Sequence, residues 1–179
     1  GVEDFFVPDG GDNRLFRPLW LRGYRYVQLN IKTKNDPLVI KDYYHVFSAY
    51  PLKRKGSFVS SVPEHEKMTD LGWHSIEITT QENLMPDVYY EQGQAAYDGR
   101  IHANTIMYTT GDSLAFKDFI RQFDYSRLPD GLTQGYAPDR HHLVIATFSL
   151  YWVLAIHDYM MHFDDPEFVK EYLPGIQSV

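Results

Sequence analysis

The sequence contains no cysteine. That removes disulfide frameworks, thiolate metal sites and a cysteine nucleophile, and leaves the compartment open between periplasm, secretion and cytoplasm. Long hydrophobic runs are also missing. The longest, Val144 to Ile156, is interrupted by Thr147 and Ser149 and falls short of the roughly 20 residues a membrane span requires. A soluble chain without membrane contact is expected. Positive charge is scarce as well: 17 Lys and Arg stand against 24 Asp and Glu, a formal net charge of −7 with a pI near 5.5. This balance lacks the basic footprint of a phosphate-backbone binder, so no nucleic-acid partner is expected. No methionine, basic leader or apolar leader core opens the chain at Gly1, so no signal peptide is visible. Standard signatures are absent too: there is no G-x-G-x-x-G, phosphate-loop lysine, G-x-S-x-G or H-E-x-x-H, which leaves no sequence basis for a nucleotide cofactor or zinc.

Aromatic side chains are abundant. Of the 179 residues, 16% are Phe, Trp or Tyr, and nearly all of these are Tyr and Phe. Such rings build cores and also platforms on which sugars stack.

Two β signals come early. In Gly23 to Ile31 the residues Arg25, Val27, Leu29 and Ile31 alternate with Tyr24, Tyr26, Gln28 and Asn30, and Leu38 to Tyr50 is rich in Val, Ile, Tyr and Phe. The polar turn Lys32 to Pro37 separates them. After Gly56 the period becomes helical. Ser61-Val62-Pro63-Glu64 has capping-box spacing and opens a helix through Met68, Leu71 and Trp73 towards Thr79. A second helix is predicted from about Tyr89 to Tyr108. Asp112-Ser113 caps a third, whose Phe116, Phe119, Ile120 and Phe123 lie at i, i+3, i+4 and i+7. Residues 141–162 are apolar nearly all round and predict a helix buried on most sides. Asp165-Pro166-Glu167 starts a last short helix, stopped at Pro174-Gly175. The pattern is one of stacked helical hairpins, and both ends of the chain read as the cut ends of a fragment.

The histidines are scattered. His141-His142 and the His157/His162 pair lack the i, i+4 spacing that offers two imidazoles to one metal, so no metal site is expected. Carboxylates are better placed. On a helix, Glu91 and Asp98 would be about 20° from eclipsed and about 10 Å apart along the axis, with Asp87 one turn earlier. Set among Tyr89, Tyr90, Tyr97 and nearby Trp73, they match a sugar site in which rings stack and carboxylates hold hydroxyls or donate a proton. A solvated helix face with small residues behind it fits the same spacing.

Several longer segments carry a resemblance. Trp20-Leu21-Arg22-Gly23-Tyr24-Arg25-Tyr26-Val27-Gln28-Leu29, Phe47-Ser48-Ala49-Tyr50-Pro51, Tyr89-Tyr90-Glu91-Gln92, Gln122 to Thr133, and Phe148-Ser149-Leu150-Tyr151-Trp152 through Tyr159 resemble bacterial α-L-rhamnosidases, inverting glycosidases with an (α/α)6 barrel. The resemblance implies a mainly α fold: residues 1–56 as the C-terminal part of a β-sandwich domain, and 57–179 as the N-terminal part of the catalytic barrel. It puts Glu91 on the general acid, expected to sit buried among tyrosines and protonated near neutral pH. It makes Asp98 and Arg100 sugar-contacting residues; Asp87, one position from the family's first Asp, and the rings of Tyr90 and Trp73 complete the expected substrate contacts. The implied partners are a rhamnose-containing glycoside or polysaccharide and the remainder of the same polypeptide, with no cofactor. The family's general base lies downstream, so these residues alone are expected to be inactive. Pro86, Ala95 and Tyr97 depart from the family pattern and open an alternative, a non-catalytic carbohydrate-binding or scaffold homologue.

Overall fold

The computed structural model describes residues 3–179. Among them it forms six α-helices and no β-strand, so the chain is mainly α. The first helix, α1 (Pro63–Thr79), places Pro63 in its first turn, where a missing amide is harmless, and Glu64 and Glu66 beside the positive end of its dipole. The expected capping box does not form. Val62 occupies the N-cap with no side-chain bond, and Ser60 instead accepts the Val62 amide through Oγ at 3.1 Å.

The second helix, α2 (Ala96–Thr110), starts several residues later than predicted. Residues before it are diverted by side-chain bonds and by Gln92, which adopts φ +47°, a left-handed conformation no α-helix contains. Gly111 ends α2 at φ +69° and returns its amide to Met107 O at 2.8 Å, the αL stop that glycine allows without strain. The third helix, α3 (Leu114–Tyr125), buries the predicted stripe Phe116, Phe119, Ile120 and Phe123. Asp112 Oδ1 accepts the amides of Leu114 and Ala115 at 2.8 and 3.1 Å, relieving two orphan donors at the helix start. Asp112→Ala is expected to cost about 1 kcal/mol, read as a lower urea midpoint at unchanged slope; no change would remove this role.

The fourth helix, α4 (Ala146–His162), corrects the expectation of burial on most sides. Only Ser149, Trp152, Ala155, Ile156 and Tyr159 are buried, while Leu150, Leu154, Met160 and Met161 are exposed. Its neighbours α2, α3 and α5 (Pro166–Glu171) cover one face alone. Asp165 caps α5 through the Phe168 amide. Pro174 does not stop the chain; it sits in the first turn of α6 (Leu173–Ser178), where proline is tolerated.

Tyr97 lies against Phe148 and Tyr151, Arg100 and Asn104 meet Asp158, and Tyr108 meets His162. This succession makes α2 and α4 parallel, with their N-terminal ends together. α3 runs antiparallel to α4, pairing Phe116 with Tyr159 and Ile120 O with Trp152 Nε1. The core lies among α2, α3, α4 and α5, built from Phe116, Phe119, Phe123, Trp152, Tyr159 and Phe168. Gly99 is where α2 approaches α3, since a Cβ there would collide with the Phe119 ring. Gly99→Ala should therefore destabilise by about 1 kcal/mol in chemical denaturation. Overpacking costs roughly 1–3 kcal/mol and the gain in helix propensity offsets about 1, so a stabilised variant would contradict this packing.

The stretches read as strands, Gly23 to Ile31 and Leu38 to Tyr50, do not pair, and most of their side chains are exposed. Two strands without a third or a covering helix gain too little burial to hold a ladder. The segment is tied to the helices at its ends instead. Gly23 N donates to Val88 O, Gln81 Nε2 to Ser48 O, and Tyr50 N to Thr80 O, while the amides of Lys55 and Gly56 share Thr109 O.

Candidate functional site

The N-terminal end of α2 gathers most of the chemistry. Asp87 accepts the amides of Tyr89 (2.6 Å) and Tyr90 (3.0 Å) on its carboxylate, and its carbonyl takes the Gln92 amide at 2.9 Å. These amide bonds, the Tyr89 one foremost, hold the Asp87 pKa below the ordinary carboxylate value. They wind residues 87–92 into a closed turn. Gln92 locks it: its Nε2 donates to Val88 O (2.8 Å) and Leu21 O (3.2 Å), and its Oε1 accepts the Trp20 indole N–H at 2.5 Å.

Glu91 rides on this turn. It is exposed, which corrects the expectation of a carboxyl buried among tyrosines. Tyr90 is 83% exposed and packs edge-on against Tyr89 with centroids 4.4 Å apart, so neither ring covers Glu91 from water. Nor do Glu91 and Asp98 share a helical face, because Glu91 precedes α2 and Asp98 lies in its first turn.

A loop bridge stands between them along the chain. Ala96 N donates to Gly135 O and Ala137 N to Gln94 O, forming a bridge between Ala95 and Tyr136. Gln94, 1% exposed, accepts the Leu84 amide and donates to Ala137 O and Gln122 Oε1. A side chain at Gly93 would begin in van der Waals contact with the Tyr136 ring, so the two elements pack closely here. The Tyr136 phenol is pushed above its usual pKa, first by burial and then by the charges of Glu91, Asp98 and Asp139. The Tyr136 loop thus closes on the segment between Glu91 and Asp98, at the end of α2 where the Trp20 indole also docks on Gln92.

The remaining predicted residues do other work. Arg100 Nε donates to Asp158 Oδ2 at 2.7 Å, and Asn104 Nδ2 donates to the same oxygen at 2.8 Å, tying α2 to α4. Burial works to raise the Asp158 pKa, and the bonds from Arg100 and Asn104 outweigh it, so the group stays below its usual value. Trp73 on α1 has the Arg54 guanidinium 6.0 Å from its ring centroid, and its ring is not brought to the Glu91 turn. Asp98 lines a groove of about 250 Å³ between α1 and α2, together with Ile76, Met85, Ile101 and His102.

Trp20 and Tyr136 were not singled out by sequence. Trp20 closes a stretch that reads as irregular, and Tyr136 stands in a loop between helices; only the folded chain carries them to Gln92 and Ala95, on either side of Gly93. Among the described residues no group of three or more His, Asp or Glu has the arrangement of a metal site, and no helix is long and apolar enough to cross a membrane.

No protein-family model matches the chain, and no curated protein matches it. A solved structure does: a GH78 family rhamnosidase of Bacillus sp. GL1, with a TM-score of 0.68 and 21% identity over 73% of this chain. The likeness at this identity is one of fold. It covers 14% of that protein, so the chain corresponds to a small part of its length.

Proposed function

We propose that residues 57–179 are the opening helices of an (α/α)6 glycosidase barrel, that residues 1–56 are the end of a β-sandwich preceding it, and that the protein hydrolyses terminal α-L-rhamnosyl bonds with inversion. The observation that carries this reading is the fold shared with a rhamnosidase, together with an exposed Glu91 presented on a locked turn just before α2. Glu91 is the general acid that protonates the leaving glycosidic oxygen. Asp98 holds a hydroxyl and favours the positive charge that develops on the ring. Tyr90 and Trp20 offer faces for the sugar's C–H surface. Asp87 shapes the turn, and Arg100 sets α2 against α4, so both act through position.

Inversion needs a second carboxylate about 6.5–9.5 Å from the acid, across the sugar, to activate water. That base is proposed to come from barrel residues outside this chain. The fold neighbour, a rhamnosidase of which this chain covers 14%, supports such an arrangement.

The test is hydrolysis of methyl and p-nitrophenyl α-L-rhamnosides by the full-length protein, with the first-formed anomer followed by proton NMR. Early β-L-rhamnose is expected; early α-L-rhamnose would rule out inversion. A second reading, non-catalytic carbohydrate binding, is favoured by the exposure of Glu91 and the engagement of Arg100 with Asp158. Saturable rhamnose binding without turnover would select it, and neither binding nor turnover would dispose of both.

A further inference from the structure

The groove between α1 and α2 has a consistent hydrogen-bonding sign. Ser75 Oγ donates to Leu71 O (3.0 Å), Thr79 Oγ1 to Ser75 O (2.7 Å) and Thr105 Oγ1 to Ile101 O (2.9 Å). Each hydroxyl on the groove wall has therefore spent its proton on its own helix and keeps only lone pairs for a ligand. Asp98 adds a carboxylate, which can only accept, and no cation or donor among the described residues engages it. His102 does not oppose a positive charge: Thr80 Oγ1 gives its proton to Ile76 O at 2.6 Å, so the 2.9 Å contact to His102 Nε2 is met by an imidazole N–H. Burial keeps that ring neutral, with a pKa lowered to about 4. The rest of the lining, chiefly Ile76, Met85 and Ile101, is apolar.

A wall whose hydroxyls and carboxylate all accept, whose one imidazole N–H is already taken by Thr80, and which is apolar elsewhere complements a group with donors only, a positive charge and a short hydrocarbon stem. We propose that this groove binds a primary alkylammonium group, its N–H donors shared between Asp98 and the threonine and serine oxygens and its stem lying against Ile76, Met85 and Ile101. A neutral hydroxyl fits less well, because it brings lone pairs of its own and no charge. The acidity of the chain, −7 overall, favours approach of a cation. The inference does not depend on the glycosidase reading, although the two share Asp98.

The experiment is a titration of the methyl-labelled chain with n-butylammonium chloride, followed through the Ile76, Met85 and Ile101 methyl resonances. n-Butanol and sodium chloride at matched concentration are the controls. Saturable shifts with the amine are expected, about tenfold tighter than with n-butanol, and Asp98→Asn should lose that advantage. Equal affinity for n-butanol, or amine shifts no larger than those with sodium chloride, would overturn the proposal on the unaltered chain whether or not the variant folds. L-Rhamnose titrated into the same sample separates the two readings. Amine binding without sugar binding leaves this site standing alone, and the reverse removes it while sparing the glycosidase.

Discussion

Glu91→Gln in the full-length protein is expected to lower kcat on methyl α-L-rhamnoside by about 10²–10⁴, the range typical of a lost general acid. That corresponds to about 3–5 kcal/mol of barrier. Glutamine keeps the side chain's length and polarity but has no proton to give the leaving oxygen. KM should change little, because Glu91 sits on a turn whose bonds come from Asp87, Gln92 and Trp20 and not from its own carboxylate. The size of the loss should depend on the substrate. p-Nitrophenolate departs without much protonation, so the same variant should be affected far less on the aryl rhamnoside than on the methyl one. A merely structural residue would slow both substrates alike. Equal losses on the two, or full activity on the methyl glycoside, would remove Glu91 from the acid's role.

The parts of this molecule legible in its sequence are those fixed by neighbours along the chain. The α3 stripe was readable because four apolar residues spaced at i, i+3, i+4 and i+7 can point in only one direction, and all four are buried. α4 misled for a related reason. Apolar residues all round a helix show what it could bury, and the packing supplied by α2, α3 and α5 covers one side, leaving Leu150 and Met161 in solvent. Alternation in residues 23–31 and 38–50 likewise records a capacity for pairing that nothing among the described residues meets. The start of α2 was hidden in side chains: an Asp87 carboxylate that takes two amides and a Gln92 held left-handed by three bonds override a sequence with fair helical periodicity. The candidate site was half visible. Spacing drew attention to Glu91 and Asp98, but for a helical geometry that does not exist. Between them along the chain lies the bridge from Ala95 to Tyr136, held by the buried Gln94, a long-range contact that leaves no periodic trace.

His102 should make the stability of this fold depend on pH in a narrow window. Its ring is 6% exposed, and burial lowers its pKa from 6.5 to about 4. The unfolded chain, with the ordinary value, then binds the proton first as pH falls, and protonation favours unfolding. The His102 contribution is complete above about pH 6.5, declines as pH drops below it, and is exhausted below about pH 4. The full span is about 3 kcal/mol, of which about 2 are gone by pH 5. The other histidines are all exposed. Asp87 and Asp158, whose pKa values are depressed, lose their contributions below the ordinary carboxylate range instead. Urea unfolding at pH 7.5 and pH 5.0 therefore isolates His102. The unaltered chain should unfold at a clearly lower midpoint at pH 5.0, and His102→Gln, which keeps a donor towards Thr80 but does not titrate, should show little change between the two. A flat curve for the unaltered chain, or the same drop in both, would mean that the imidazole is not held neutral between α1 and α2.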